Sequence, residues 1–600
     1  MRDGSQTSLG SCVQTLYPTK PIGMKCHQPG STPSCQIRIP QEKVVNRKLF
    51  LCIYSIAALY KQQKSKTSTT SAAGQFSMAP LEAHELLACL LVAVATLLLF
   101  RRLLPHRQPP PASLPRPRGL PLIGNLHQLG ALPHDSLASL AAAHDAPLML
   151  LRLGSVPALV VSTPDAARAL FQRNDRALSG RPASLVAATR FSYGLQSISF
   201  GPPDGAFWPA ARRACLSELL GAPRVRAFRD ARERETAALV AAVADASEAG
   251  APVDLSDMLV AASNNIVRRV AFGSSNGGGG DGGMDASAVL KETQRLLGGF
   301  WVADYVPWLG WLDALRGMRG RLERNFHQLD AFYERVIDSH LDKRNSGASD
   351  EEEDLVDVLL RLHGDPAHRS TFGSRDQIKG ILTDMFIAGT DTSAAAVEWT
   401  TTELINHPEI LAKAQHEVRN AVSDTDADMV REPDLPRLSY LKLVIKESMR
   451  LHPPVPLLVP RETTEPITVQ GYGGHEIPAG TRVFVNAKAI GAHPGAWGPD
   501  AARFVPERHA QAGADAEDHK PWHDSFALVP FGIGRRSCPG VHFATAVVEL
   551  LLANLLFSFD WRAPLPGGKV DTEEENGLTV YRKNPLLLLA KRIKKREASQ

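Results

Sequence analysis

Cysteine is scarce in this chain and poorly placed for a structural role. Its 600 residues hold seven cysteines: Cys12, Cys26, Cys35, Cys52, Cys89, Cys215 and Cys538. No two have the close spacing of a zinc site, and only Cys215 and Cys538 stand beyond residue 89. A disulfide-built domain is excluded, and a reducing compartment is favoured. Excess charge is also missing: 67 basic against 63 acidic residues leave a net charge of +4, too little for a dedicated nucleic-acid binder. The glycine-rich run at 273–283 has no G-x-x-x-x-G-K after it, so it reads as a flexible loop and not a phosphate cradle. No dinucleotide-binding fingerprint is visible either.

Long apolar runs are few, and the clearest lies near the front. From 86 to 100 the chain is apolar apart from Cys89, then meets Arg101 and Arg102. With snorkelling arginines, 78–104 is just long enough to anchor in a thin bilayer such as that of the endoplasmic reticulum. Glu82 and Glu85 precede the run, whereas Arg101, Arg102, Arg107, Arg116 and Arg118 flank its far end. The positive-inside rule then puts everything after it on the cytosolic side. A buried core helix is the other reading of so short a run. Residues 1–77 read as an extension of doubtful role, with a transit peptide as the runner-up. Residues 105–119, rich in proline and arginine, form a semi-rigid hinge, and 120–600 remain as one large domain.

Within that domain 148–153 and 156–162 read as a short β pair, and helical patterns dominate thereafter. Trp208 and Arg212 share one helix face; a tryptophan there is otherwise core. The aromatic segment 304–312 is expected in the core, with a channel wall or a membrane surface as alternatives. Ser374 and Gln377 fit a capping box opening a long helix toward His407 and Pro408. Inside it sits Ala388-Gly389-Thr390-Asp391-Thr392-Ser393. An interior glycine costs about 1 kcal/mol against alanine, and core-facing polar groups cost more unless satisfied. A groove suited to O₂ on a metal explains them: Gly389 opens space, Thr392 donates a hydrogen bond and Asp391 links to solvent protons. A solvent-facing polar patch is the alternative. Glu447 and Arg450 stand one turn apart before His452-Pro453-Pro454 ends their helix.

The stretch from Phe531 to Gly540 concentrates the chemistry. Cys538 sits between glycines and beside Arg535 and Arg536, just ahead of an apolar helix from Val541 to about Phe559. Backbone N–H groups and the helix dipole are expected to lower its thiol pKa. Gly534 and Gly540 allow tight turns and close approach, and Arg536 supplies a cation. A thiolate, a flat approach surface and a cation for carboxylates point to a haem with cysteine as its axial ligand. A buried structural cysteine is the alternative.

The pattern F-x-x-G-x-R-x-C-x-G, carried by Phe531, Gly534, Arg536, Cys538 and Gly540, resembles the haem-binding signature of the cytochrome P-450 superfamily. With A-G-T-D-T, E-S-M-R, F-V-P-E-R and the hinge in order, the chain resembles a plant microsomal A-type enzyme over about residues 85–592. The resemblance implies a mainly α fold with a minor β portion, preceded by an N-terminal transmembrane anchor. It implies haem b held by Cys538, with Trp208 and Arg212 hydrogen-bonding a propionate. It makes Thr392 the proton-delivery residue, Asp391 its relay, and Glu447, Arg450 and Arg508 a buried structural network. It further implies a monooxygenase of the endoplasmic reticulum membrane, driven by NADPH through a flavoprotein reductase that docks near the cysteine loop, where Arg535 offers a cation. The substrate would be a small, largely apolar specialised metabolite, met by 183–200, Phe386, Ala388, 455–459 and 577–579. A haem-thiolate isomerase or dehydratase of peroxides or oximes, needing no reductase, is the alternative. Pro209, Lys488 and His509 depart from the family pattern and put local packing in doubt.

Overall fold

The structure, a computed structural model, describes residues 114–593 apart from 249, 274–285, 347–352, 423–427, 513–525 and 566. The expected extension at 1–77, the anchor at 78–104 and the first part of the hinge lie outside the described residues. From Leu114 onward the hinge is docked: Leu114 is buried, the Leu150 N–H donates to Pro115 O at 3.0 Å, and Asn125 Nδ2 donates to Pro117 O at 3.1 Å. Proline has no N–H to give, but its carbonyl still accepts, so this segment binds through its oxygens.

Helices carry the fold. Among them are α1 (Phe207–Ala214), α2 (Arg229–Glu248), α3 (Leu255–Phe272), α4 (Ala286–Leu297), α5 (Met318–Asn345), α6 (Arg375–Asn406), α7 (Pro408–Ala421), α8 (Ser439–Leu451) and α9 (Val541–Ser558). The capping box is present at the start of α6: the Ser374 side chain accepts from Gln377 N–H while the Gln377 side chain accepts from Ser374 N–H. Pro408 then opens α7 at a position where its missing N–H costs nothing. α6 runs for 32 residues and is buried over most of its length, which identifies it as the central helix. α3, α8 and α9 pack on it. α9 is long and apolar enough to cross a membrane, but it is packed against α2, α6 and α7 with its leucines buried. It is a core helix.

The β portion is small. β1 (Leu148–Leu153) and β2 (Val156–Val161) form the expected antiparallel pair, Leu148 opposite Val161 and Leu153 opposite Val156. Gly154 turns the pair with φ +61°, a conformation glycine adopts without strain. β3 (Arg461–Glu462) and β4 (Arg482–Val485) complete the sheet in the order β1-β2-β4-β3, with β2 and β4 parallel.

Glu447 on α8 anchors a closed charge network. It lies 2.7 Å from Arg450 Nη2 and 2.9 Å from both Arg508 Nε and His509 Nε2, and it accepts from Val505 N–H at 2.9 Å. Burial by itself would raise its carboxyl; the bonds from Arg450, His509 and Val505 overcome that and hold it at about 2. Arg450 also donates to Gly491 O and Ala501 O, both at 2.6 Å. Gly491 must be glycine here, because a Cβ would come within 2.2 Å of Arg450 O. His509 therefore supplies a hydrogen bond that a phenylalanine could not. Lys488 is likewise partnered, 2.7 Å from Glu574 and 3.1 Å from Asp135. Both departures have acquired counter-groups.

Candidate active site

The loop before α9 is shaped by backbone hydrogen bonds and two left-handed glycines. Cys538 N–H donates to Phe531 O at 2.8 Å, Gly532 N–H to Val529 O at 3.0 Å and Ser537 N–H to Gly534 O at 2.9 Å. Gly532 (φ +81°) and Gly534 (φ +60°) make the turns. Gly534 does not face the cavity: a Cβ there would strike Asp175 Oδ1 at 2.0 Å, so its lack of a side chain admits Asp175, not a ligand. The glycine that meets the cavity inside this turn is Gly532. Asp175 also pairs with Arg535 at 3.0 Å, so the cation expected to be offered to a partner is partly answered within the chain.

Behind the loop a cavity of about 250 Å³ reaches from Cys538 to α6. Phe531, Arg536, Cys538 and Gly540 line it from the loop, Ala388, Gly389 and Thr392 from α6, and Val455, Leu458 and Val459 also line it. Burial pushes the Cys538 thiol up, and the Gly540 N–H and the Arg212 charge oppose it without prevailing. The expected lowering by the helix start is therefore only the smaller of two effects: desolvation of a thiolate outweighs one N–H.

Four guanidinium groups enter the same wall. Arg212 Nη2 donates to Ser537 O at 2.7 Å. Arg536 donates to Ser179 O and Ile198 O at 2.8 and 3.0 Å. Arg181 donates to Val459 O and Pro460 O at 2.6 and 2.8 Å, and Arg461 to Ile533 O at 2.5 Å. Burial first, then Arg461 and Arg212, push Arg536 down to about 9, and burial pushes Arg461 down to about 10. Among the described residues, the carboxylate acting on Arg181 and Arg536 is Asp384, and Asp175, already paired with Arg535, acts on Arg461. Asp384 has other bonds to make. It is committed to Ile198 and Ser199 N–H at 2.6 and 2.9 Å, and burial raises it to about 6. Buried cations without matching anions are costly, and backbone carbonyls answer only their hydrogen bonds. A ligand carrying two carboxylates, with a metal that takes a thiolate, fits this wall.

The Trp208 indole N–H donates to Ile198 O at 2.8 Å, and the Arg536 guanidinium lies 3.9 Å over its ring. Pro209 is harmless because it occupies the first turn of α1, where no intrahelical N–H bond is due.

Thr392 and Asp391 are neighbours in α6 but face apart. Thr392 lines the cavity, its hydroxyl bonded to Ala388 O at 2.6 Å. Asp391 is buried away from the wall, accepting from the Tyr581 hydroxyl at 3.0 Å. Burial raises its carboxyl to about 6 against the pull of Tyr581 and Gln294. Gly389 both lines the cavity and admits α3, since a Cβ would lie 3.1 Å from Val267 Cγ2. Of the expected substrate contacts, Ile198, Ser199, Ala388, Val455, Leu458 and Val459 reach the wall. Phe386 does not; it stacks in the core with Phe272 and Phe332, 5.7 and 6.1 Å away. Segment 577–579 is also outside the wall. Arg181, Arg461, Asp384 and Gly532 were not singled out for the site by their sequence, because they meet only after long-range folding.

The family described as "Cytochrome P450" matches residues 114–589. Among curated relatives, "Cytochrome P450 71A9" of Glycine max is 47% identical over 493 residues, 82% of this chain and 93% of that protein. "Strychnine-11-hydroxylase" of Strychnos nux-vomica is 44% identical over 79% of this chain and 91% of its own length. "Cytochrome P450 71A1" of Persea americana is 44% identical over 78% and 91%.

Proposed function

The chain belongs to the cytochrome P450 family, among its plant A-type monooxygenases, and from that premise we propose that it inserts one oxygen atom from O₂ into a small, largely apolar specialised metabolite. Electrons come from NADPH through a membrane-bound flavoprotein reductase. The observation that carries this reading is the facing of Cys538 and four charge-unbalanced arginines by the Gly389–Thr392 stretch across one cavity. Cys538 would ligate haem iron, and Arg181, Arg212, Arg461 and Arg536 would hold its carboxylates. A haem bound there through the Cys538 thiolate would supply the chemistry of O–O cleavage.

The chain's own residues do the rest. Burial holds the Cys538 thiol toward its protonated form, and a metal bound there would favour the thiolate. Gly389 leaves space in the cavity wall and Thr392 lines it, while Asp391, one residue before Thr392 in α6, would hold a proton. Val455, Leu458 and Val459 exclude water and favour an apolar ligand. Glu447, Arg450 and Arg508 keep α8 in place and do no chemistry. A relative whose name describes a hydroxylase supports oxygen insertion over rearrangement.

Two surfaces support the partners. Leu120, Leu122 and Ile123 are exposed on one segment and Trp308, Trp311 and Leu315 on another, the last at 75%. The β1–β2 turn joins them: Gly154 N–H donates to Ile123 O and Ser155 N–H to Tyr305 O. This apolar face, following directly on the hinge, suits contact with a membrane surface, as an anchor at 78–104 would require. Outside the cysteine loop, a depression lined by Trp208, Arg212, Arg213, Leu216 and Arg535 suits the reductase. Expression of residues 78–600 with reductase tests the reading. The reduced carbon-monoxide spectrum should show a strongly red-shifted Soret band, lost in Cys538→Ala, and NADPH and O₂ should be consumed with substrate. A band that survives Cys538→Ala refutes the ligand assignment.

A further inference from the structure

The mechanism above uses Asp391 as a proton store but leaves unexplained why its carboxyl points where it does. We propose that Tyr581 is the positioning residue that fixes the Asp391 carboxyl and directs its acid proton to Oδ2, the oxygen left open. The proposal rests on the monooxygenase reading for its purpose but on contacts alone for its geometry.

Tyr581 reaches α6 from the short strand Tyr581–Arg582, whose partner strand is Glu574–Glu575. Its hydroxyl lies 3.0 Å from Asp391 Oδ1 and 2.9 Å from the main-chain oxygen of the same residue. One hydroxyl hydrogen shared between those two acceptors locks the side-chain torsion, because rotating the carboxyl away breaks the bond to Oδ1. Burial, then the Asp391 charge, push the Tyr581 hydroxyl far above its ordinary range, so it remains a donor. With Oδ1 already accepting, the proton of the acid form belongs on Oδ2. That oxygen is buried without a hydrogen-bond partner of normal geometry, and the polar group that acts on the carboxyl from α4 is Gln294, whose side-chain oxygen is buried and likewise without such a partner.

Other polar groups surround the carboxyl. Gln294 and the Lys291 charge act on it from α4 and pull it down. Lys291 is half exposed and pairs with Asp257 of α3 at 2.8 Å. Glu398, farther along α6, faces Tyr581 and not Asp391; it is held by Ser256 and the Arg582 N–H.

The test is an infrared titration of the full-length haem-loaded protein. A protonated-carboxyl band with a midpoint near pH 6, absent in Asp391→Asn, reports the group. In Tyr581→Phe the midpoint should rise by about one pH unit, a tenfold change, and peroxide released per NADPH should rise several-fold. In the Asp391→Asn background, Tyr581→Phe should add nothing to that leak. An unmoved midpoint, or a full additional effect in that background, overturns the proposal and makes Tyr581 a strut. If Tyr581→Phe does not fold, 3-fluorotyrosine at 581 keeps the shape and donates more strongly, so the midpoint should fall; no change overturns the proposal. The infrared band is read on the carboxyl whatever the haem does, and a missing carbon-monoxide band in the parent protein would sink the monooxygenase reading alone.

Discussion

Around Glu447, buried positive charge is answered within the chain: Arg450 and Arg508 converge on one carboxylate, and His509 adds a further hydrogen bond. Around the cavity it is answered far less: Arg181, Arg212, Arg461 and Arg536 donate to backbone carbonyls, with Asp384 acting on Arg181 and Arg536 and Asp175 on Arg461. Both are clusters of buried arginine, yet the first is complete and the second awaits anions. The first serves the fold; the second identifies the ligand.

Removing the acid from the complete cluster should do the most damage. Glu447→Ala leaves Arg450 buried and uncompensated, at a cost of about 3–5 kcal/mol, read as a large fall in urea midpoint or the absence of folded protein. If the loss is under about 1 kcal/mol, the two clusters are not different in kind. Titration comes next. The Glu447 carboxyl is depressed to about 2, so its contribution, about 3 kcal/mol, is present above about pH 4.5 and is lost as pH falls toward 2. Asp384 is raised to about 6, so its effect has the opposite sign: the haem-free protein loses stability as pH rises through 6. Asp384→Asn should flatten that upper limb and leave the acid limb alone, as followed by unfolding at pH 3, 5 and 7.

In the open cluster, Arg461→Met should lower haem affinity tenfold or more, while destabilising the haem-free chain far less than Glu447→Ala. Haem titration and thermal unfolding with and without haem measure the two effects. Equal losses in both states would erase the distinction. The smallest effect is expected from His509→Phe, within about 1 kcal/mol, because the lost bond to a charged acceptor is offset by added apolar burial. Thermal unfolding of that variant sharpens how much of the network the arginines carry.

Local patterns announced themselves well. Ser374 and Gln377 marked the start of α6, the Glu447–Arg450 spacing marked an ion pair, and 148–161 marked a hairpin, because each depends on residues a few positions apart. What stayed hidden depends on the tertiary fold. Nothing near Tyr581 announces Asp391, and nothing near Arg181 announces Arg536. Trp208 could be placed on the right helix face, but its partner was decided by the carbonyl of Ile198, which arrives from another segment. Phe386 looked like pocket and is core because Phe272 and Phe332 meet it. His509 and Lys488 looked like defects only until Glu447 and Glu574 stood beside them.

The position of α9 has a consequence in time. α2, α6 and α7 pack on it, yet it follows all three in the chain, so at 5–20 residues per second α2 waits on the order of tens of seconds for the surface that covers it. Cys538 leaves the ribosome with that helix. Closing the core and gaining the proposed haem ligand are one step in the life of the chain, and a nascent protein halted before Val541 cannot complete its fold.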